Sequence, residues 1–148
     1  MKLFLLSIVS MSISFASCSQ DIAPSKVPSV VKNVVQAKYP AATNIDWEKK
    51  NNLFEAEIGV DSSEVTVEID QAGKIVRQKQ DIVQNQLPAA ILSAITSQYK
   101  DLAIDEVEKI EQGGTVYYQV ELEAKGKKDV KVVFDGNGTL QKDVKYWD

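Results

Sequence analysis

The residues of this sequence that are best suited to chemistry are two pairs of glutamates. Glu55 and Glu57 stand two positions apart, and Glu121 and Glu123 repeat that spacing. On an extended strand the two carboxylates of a pair share one face and lie about 7 Å apart. Carboxylates at such a separation can serve glycoside hydrolysis or contribute to a calcium site. The alternative is a solvated polar face.

Basic residues at matching positions favour the solvated face. If the strands pair as predicted below, Lys131 lies opposite Glu121 and Asp143 lies opposite Lys131. Such a ladder of cross-strand charges contributes roughly tenths of a kcal/mol for each pair. We therefore predict a charged surface here, with catalysis or cation binding as the alternative.

Other catalytic and metal-binding chemistries lack the residues that they need. The sequence has no histidine, a single cysteine at position 18 and no serine in a Gly-x-Ser-x-Gly setting, and these are the usual activated nucleophiles and zinc ligands. Residues 135–139 resemble the start of a calcium loop, but Tyr146 stands where the closing glutamate belongs, so we expect a hairpin turn. We predict no catalytic residue, no metal site and no cofactor.

Length and charge narrow the class of protein. A chain of 148 residues with 44% hydrophobic residues has room for one domain or two fused half-domains around a buried core. Its formal net charge is −4 and no basic stripe is present. Nucleic acid is therefore not an expected partner.

Residues 1–17 have the pattern of a secretory signal peptide. A basic start precedes a short apolar stretch that ends in small residues, and this stretch is too short to span a membrane. The segment Phe15-Ala16-Ser17-Cys18 resembles the bacterial lipobox, in which the cysteine becomes the acylated first residue of the mature protein. Phe15 departs from the usual aliphatic residue, and ordinary cleavage after Ala16 is the alternative.

Export is therefore expected, either into the periplasm or as a lipoprotein anchored to the outer membrane through Cys18. No other contact with the membrane is predicted, and a lone cysteine forms no disulfide within one chain. Residues 18–26 are polar and include Pro24. They suit a tether between a cleaved or acylated end and a globular body.

Residues 27–82 and 87–148 are two copies of one unit. Matching positions include Pro28 with Pro88, Tyr39 with Tyr99, Glu48 with Glu108 and Gly73 with Gly138. The period of about 60 to 65 residues is too long for a solenoid and suits a supersecondary unit that has been copied once.

Each copy opens with a stretch that we interpret as a helix. In the second copy Pro88 suits a first turn, and Ile91, Ile95 and Tyr99 form one apolar stripe at a spacing of four. The first copy is rich in valine and would suit a strand equally well. Its alignment with the alanine-rich second copy favours a helix that ends at Pro40.

Four strands are predicted after each helix. Clean alternation of apolar and charged residues in the second and third strands is typical of an antiparallel sheet with one face on a core. The strands lie near 43–50, 54–60, 64–69 and 74–82 in the first copy, and near 104–112, 116–123, 129–134 and 139–147 in the second. The last strand of each copy is more polar, which suits an edge or a solvent-flanked strand.

We therefore predict an α+β fold, a tandem duplicated α-β-β-β-β unit with one antiparallel sheet and both helices packed on one face. A Leu-Pro or Val-Pro helix that ends in Tyr, a Tyr/Phe-x-x-Glu second strand and a third strand that closes in Asp-x-x-Gly resemble the PepSY-like, β-lactamase-inhibitor-like family of exported bacterial proteins. Small exported members are frequent in Bacteroidetes-type bacteria. The resemblance implies this BLIP-like or PepSY-like fold, an envelope location, and a non-enzymatic role in binding or inhibiting another protein.

The face without helices is the predicted binding surface. Tyr117, Val133 and Trp147 fall on its otherwise polar phase, near Glu121, and exposed aromatic residues among charges are common anchors of protein interfaces. We predict that these four residues bind an unidentified exported protein. The alternatives are that Trp147 packs against its own chain, or that the strand carboxylates bind a small ligand or a cation.

Overall fold

Two α-helices and eight strands make up the fold in the computed structural model, which describes residues 19–60 and 62–148. The strands are β1 Ser19–Asp21, β2 Ile45–Lys50, β3 Leu53–Val60, β4 Ser63–Asp70, β5 Ile75–Asp81, β6 Ala103–Gln112, β7 Thr115–Glu123 and β8 Val130–Asp135. The helices are α1 Ser29–Lys38 and α2 Ala89–Gln98, and each follows a 3₁₀ turn, Pro24–Lys26 or Gln84–Gln86. The predicted signal peptide and Cys18 lie outside the described residues.

One antiparallel sheet contains all eight described strands in the order of the chain. Short hairpins join the strands within each copy, while α1 and α2 connect β1 to β2 and β5 to β6. The predicted α+β architecture is therefore confirmed. Alternation of apolar and polar residues fixes the register, since a slip of one residue would turn every core side chain to the opposite face.

Both helices cover the same face of the sheet with two apolar clusters. Val31 and Val35 of α1 are fully buried against the inward side chains of β2, β3 and β4, and Trp47 lies in this cluster. Ile91 and Ile95 of α2 pack in the same way against β6, β7 and β8. The helical interpretation of the valine-rich segment is thus correct, because burial of one stripe against a sheet outweighs the weak strand preference of valine.

Two matching hairpin turns pin the sheet to the helices. Asp70 and Asp135 each accept two backbone N–H bonds within their turn through one carboxylate oxygen. Gly73 and Gly138 close these turns with φ of +86° and +80°, a region that favours glycine. A Cβ on Gly138 would lie 2.6 Å from the carbonyl oxygen of Ala90, so this turn needs glycine for the close approach of α2 as well.

The predicted tether is wrong for residues 19–26, because they belong to the folded body. Residues 19–21 form β1 and pair with β2, with Gln20 opposite Lys49. This short strand occupies the place before α1 that the end of β5 occupies before α2. Each helix is therefore preceded as well as followed by strands.

The predicted last strands differ from the structure in both copies. β5 lies in the middle of the sheet between β4 and β6, so it is not an edge. In the second copy the strand expected near 139–147 is reduced to one bridge between Phe134 and Leu140. After Gln141, whose N–H still donates to the carbonyl of Val133, the chain leaves the sheet plane.

The seam between the copies is an ordinary strand ladder supported by polar side chains. β5 and β6 pair over five residue positions, from Arg77 opposite Gln112 to Asp81 opposite Glu108. On the helix side, the Tyr39 hydroxyl bonds the Gln78 amide oxygen at 3.2 Å. The two copies therefore share one continuous sheet and do not meet through loops alone.

Candidate functional site

The outer face, defined as the face of the sheet that points away from the helices, carries a band of carboxylates. The acidic band consists of one residue from each of six neighbouring strands, Asp46, Glu57, Glu64, Asp81, Glu106 and Glu121. Asp46 pairs directly with Glu57, and Glu106 pairs with Glu121. With strands about 4.8 Å apart, the band crosses about 24 Å of sheet.

Burial and the repulsion of neighbouring carboxylates raise the pKa of three residues of this band. Partial burial, followed by repulsion from Glu64, raises the pKa of Glu57. Burial, followed by repulsion from Glu108, raises the pKa of Asp81 and also that of Glu106. Like charges held this close oppose ionisation, so the band is electrostatically strained at neutral pH.

A second row of carboxylates on the outer face is buried and neutralised. Glu55, which is only 2% exposed, accepts a bond of 2.5 Å from the Lys50 ammonium. Glu68 receives a two-point bond from the Arg77 guanidinium at 2.6 and 2.7 Å. Pairing of this kind is what a buried carboxylate requires.

Asp81, Glu106 and Glu108 form a further group of carboxylates on the outer face, and Lys79 neutralises part of it. Its ammonium lies 2.7 Å from Glu108, whose other oxygen accepts a hydrogen bond from the Gln119 amide. The carboxylate oxygens of Asp81, Glu106 and Glu108 lie within 4.8 Å of one another, which is a spacing that could hold a cation. Because Lys79 and Gln119 already bond Glu108, only two of these three groups are unneutralised.

Residues 141–148, which we name the crossing segment, lie across the outer face of the second copy. The side-chain amide of Gln119 bonds both backbone polar groups of Trp147. It accepts the Trp147 N–H at 3.0 Å and donates to the Trp147 carbonyl at 2.9 Å. Gln119 is fully buried and Trp147 is 4% exposed, so this contact is enclosed by protein.

Cations surround the end of the crossing segment. The Arg77 guanidinium lies 3.8 Å from the centre of the Trp147 ring, and Lys79 donates to the Trp147 carbonyl at 3.3 Å. Lys131 pairs with Asp148 at 2.5 Å and lies over the Tyr146 ring. Burial, followed by repulsion from Glu108, raises the pKa of Tyr146, whose buried hydroxyl has no hydrogen-bond partner among the described residues.

The crossing segment rests on residues that differ between the copies. Matching positions carry Glu55 and Gln119, Glu68 and Val133, and Lys50 and Ile110. Ile110 and Val133 are buried, although they belong to neither helix-side cluster. Three charged positions of the first copy are thus uncharged where the crossing segment covers the second.

The four predicted partner-binding residues have different environments. Trp147 and Val133 are buried, so the expectation that they form an exposed anchor is wrong, and packing of Trp147 against its own chain is correct. Tyr117 and Glu121 remain half-buried on the outer face. Glu121 lies opposite Lys131 as predicted, at 3.6 Å, but Lys131 bonds Asp148 and not Asp143.

The two glutamate pairs do not act as pairs. Glu55 is bonded to Lys50, whereas its neighbour Glu57 belongs to the acidic band. Glu121 is paired with Lys131, and Glu123 is exposed. The charged surface that the sequence predicts is therefore present, with buried ion pairs in part of it.

Two serines, Ser29 and Ser97, stand three residues before a lysine, a spacing that some nucleophilic sites use. Both are on the helices, and Lys32 and Ser97 have structural partners. Lys32, which follows Ser29, donates to the Pro24 carbonyl at 3.2 Å. Ser97, which precedes Lys100, donates to the Ala94 carbonyl at 3.0 Å.

Several residues of the outer face are missing from the sequence prediction. Gln119 and Arg77 are central to the crossing segment, and Asp81 and Glu106 to the acidic band. The sequence contains a weak signal for Gln119, because the matching position of the first copy is Glu55. A charged residue that becomes uncharged in the second copy indicates that its neighbours differ there. No local pattern joins Arg77 to Trp147, which is 70 positions away in the sequence.

None of the helices in the described part of the chain is long and apolar enough to cross a membrane. The sequence model of a family described as "Putative beta-lactamase-inhibitor-like, PepSY-like" matches residues 16–77 and 74–142. No curated protein is significantly similar to the chain in sequence.

Solved structures from Bacteroides species share the fold. A protein of Bacteroides eggerthii described as a putative periplasmic protein superposes with a TM-score of 0.74 at 16% identity, over 78% of this chain and 86% of that one. A DUF2874 family protein of Bacteroides uniformis gives 0.71 at 19% identity, over 76% and 85%. A BLIP-like protein of Bacteroides fragilis gives 0.66 at 26% identity, over 81% and 92%.

Proposed function

Because the chain belongs to the PepSY-like, β-lactamase-inhibitor-like family, we propose that it is a non-enzymatic exported protein that binds another protein of the cell envelope. The proposal uses the outer face, because both helices cover the other face of the sheet. The inhibitor-like description of the family supports a binding role. Fold likeness alone is weak evidence of function, and the residues of the outer face carry the proposal.

The acidic band is the observation that carries this proposal. Burial, followed by repulsion from neighbouring carboxylates, raises the pKa of Glu57, Asp81 and Glu106, and this costs folding stability at neutral pH. A folded protein commonly tolerates such strain where a site needs it. A partner that brings positive charge would relieve the repulsion and gain affinity from it.

The geometry of the band defines the partner's chemistry. The row of carboxylates spans about 24 Å across the strands and runs obliquely, because it moves two residues along the strands at Glu64 and again at Glu106. A basic helix of about 16 residues or a basic extended segment of about seven residues would cover this length. The partner is therefore a protein with a basic ridge, and its binding weakens as salt is added.

Charge reversal within the band tests the proposal. We would compare the unmodified protein with a Glu57→Lys, Asp81→Lys double variant, using capture and crosslinking in native envelope fractions. Partner recovery should fall at least tenfold, because two attractive charges become repulsive. Crosslinks of the captured partner should map to the outer face.

A matched control uses the same charge change elsewhere. Asp101 and Asp105 are exposed and lie outside the band, so an Asp101→Lys, Asp105→Lys double variant should retain the partner. Equal recovery with both double variants, or crosslinks on the helices, would refute the outer face as the binding surface.

Tyr117 is the aromatic residue of the predicted binding set that stays accessible. It lies on the outer face at the edge of the crossing segment and is half-buried. A Tyr117→Ala variant should lower affinity for a captured partner by threefold or more, whereas Trp147 would first disturb the protein itself. An unchanged affinity would remove Tyr117 from the interface.

Cation binding is the rival function, and Asp81, Glu106 and Glu108 are its best candidates. The Lys79 ammonium beside Glu108 opposes it by placing a positive charge within the group. Calcium titration followed by tryptophan fluorescence separates the two functions. We expect no change up to millimolar calcium, and a saturable change would favour the rival.

We also propose that the chain works in the envelope, as the description of the Bacteroides eggerthii protein suggests for that relative. Acylation of Cys18 remains part of this proposal. Radiolabelled palmitate should label the unmodified protein in its host, and a Cys18→Ser variant should not be labelled. Equal labelling of both would place any acyl chain elsewhere.

A further inference from the structure

The crossing segment is held by contacts that resemble recognition of a bound peptide. The Gln119 side-chain amide bonds both the backbone N–H and the backbone carbonyl of one residue, Trp147. Backbone bonds of this kind are how extended peptides are bound at sheets, and neighbouring pockets then select side chains. Here one buried side-chain amide replaces the neighbouring strand.

Two cations, Arg77 and Lys131, contact the side chains of the crossing segment and provide side-chain selection. Arg77, fixed in place by its two bonds to Glu68, stacks on the aromatic ring at 3.8 Å. Stacking of this kind favours a flat aromatic side chain. Lys131 then pairs with the acidic residue that follows, at 2.5 Å.

The crossing segment rests on apolar residues, Ile110 and Val133, but polar groups contact Trp147 itself. Around the Trp147 ring and backbone lie Arg77, Lys79 and Gln119. The segment is also flanked by two clefts of about 480 and 490 Å³, which Arg77 and Lys145 both line. The crossing segment is therefore narrow and does not cover the sheet as a packed layer.

The fit of the crossing segment is incomplete. The Tyr146 hydroxyl is buried without a hydrogen-bond partner among the described residues, and Glu106, Glu108 and Glu121 surround it with negative charge. A buried polar group without a partner is costly. A segment that avoids this cost could replace residues 146–148 on the same contacts.

We infer that Gln119, Arg77, Lys79 and Lys131 form a peptide-binding cradle for an extended segment with an aromatic residue followed by an acidic one. Residues 146–148 fill this cradle within the chain. The occupant from outside is a segment of a partner protein with the same aromatic–acidic chemistry. The acidic band borders this site through Glu121, which pairs with Lys131, but the band selects positive charge, and its charge-reversal variants at Glu57 and Asp81 leave the four cradle residues unchanged.

A peptide supplied from outside tests the cradle in the full chain. The protein carries Trp147→Ala, which removes the internal ring and leaves all four cradle residues in place. The probe is a fluorescent peptide with the sequence of residues 142–148, capped at both ends. We expect saturable binding to this variant at least tenfold tighter than to the unmodified protein, whose cradle is filled.

Matched controls assign the binding to the cradle. Gln119→Leu added to Trp147→Ala should abolish binding, and so should a peptide with alanine in place of tryptophan. A peptide with asparagine in place of its final aspartate should bind several-fold more weakly, because it loses the pair with Lys131. Absence of binding to a folded Trp147→Ala variant, or equal binding after Gln119→Leu, would overturn the proposal.

Hydrogen exchange in the unmodified protein gives a test that does not depend on a variant. If the crossing segment exchanges with an outside peptide, the Trp147 amide opens locally and exchanges at least tenfold faster than the amide of Val120 in β7. The probe peptide in excess should accelerate exchange at Trp147 further. Equal protection of both amides would make the crossing segment a fixed part of the fold and overturn the proposal.

Discussion

Single residues explain why matching positions of the two copies have different roles. Gln119 stands where the first copy has Glu55, and Val133 stands where it has Glu68. In the first copy those carboxylates need Lys50 and Arg77 as partners. In the second, an amide and an apolar side chain can lie beneath a tryptophan without leaving a charge unpaired.

The turn glycine of the second copy gives the first prediction. Gly138→Ala should lower the free energy of unfolding by about 2–4 kcal/mol, from a strained φ and a clash with the Ala90 carbonyl. Gly136→Ala is the control in the same turn, because its Cβ would meet nothing within 4 Å. Urea denaturation measures both, and equal losses would contradict this account of the turn.

The acidic band gives a prediction on pH. The folded-state pKa of Glu106 is raised, so its contribution to stability is favourable at low pH and is lost as the pH rises through that value. Glu106→Gln should therefore stabilise the protein at pH 7 by about 0.2–1 kcal/mol, since the residue is exposed. The gain should shrink as the pH falls towards about 4.

Thermal melts of Glu106→Gln and the unmodified protein across this pH range measure the effect. Asp101→Asn, an exposed change outside the band, serves as the control and should give no gain. A destabilised Glu106→Gln at pH 7 would show that the carboxylate has a favourable partner.

At the scale of elements, the last strand of each copy shows how one sequence pattern can lead to two structures. In the first copy β5 pairs with β4 and then with β6, so both of its edges are used. In the second copy the described sheet ends at β8, so a strand that matched β5 would have no further strand to pair with. Burial of Trp147 on the outer face and its bonds to Gln119 replace most of the strand pairing that residues 139–147 could have made.

Arg77 links the crossing segment to the sheet, and this gives a prediction at the same scale. Arg77→Lys keeps the charge but loses the planar stack on Trp147 and one of the two bonds to Glu68. In a Trp47→Phe background, emission from Trp147 should move to longer wavelength and become more sensitive to acrylamide. Lys142→Arg, in an exposed position of the crossing segment, should leave both unchanged, and an unaltered spectrum in Arg77→Lys would contradict the stacking role.

For the molecule as a whole, the unbroken sheet determines how the copies depend on each other. The two helix-side clusters are separate, yet β5 and β6 pair along the seam and Lys79 of one copy binds Glu108 of the other. Loss of either copy would expose a long strand edge of its neighbour. The copies should therefore unfold together.

Calorimetry tests this cooperativity. The unmodified protein should show one transition whose calorimetric and van't Hoff enthalpies agree. Lys79→Ala leaves Glu108 without its cation at the seam and should lower the melting temperature by several degrees, about 2–4 °C for each kcal/mol lost in a chain of nearly 150 residues. Two resolved transitions in the unmodified protein would show that the copies fold independently.

The sequence by itself determined the duplication, the helix stripes, the alternating strands and the turns that end in Gly73 and Gly138. These features depend on local periodicity and on backbone preferences that a short window of residues contains. They were sufficient to predict the α+β architecture and the charged face. The relation between the copies also settled the helical interpretation of the valine-rich segment.

Only the tertiary structure decided where the crossing segment lies and which carboxylates form one band. A strand is predicted near residues 139–147, but the path of this segment depends on Gln119 and Arg77, which are close only after the sheet has formed. The acidic band takes one residue from each of six strands, so its continuity depends on the register of every pair between them. Such long-range contacts leave no periodic pattern in the sequence, because each follows from the assembly of the whole sheet.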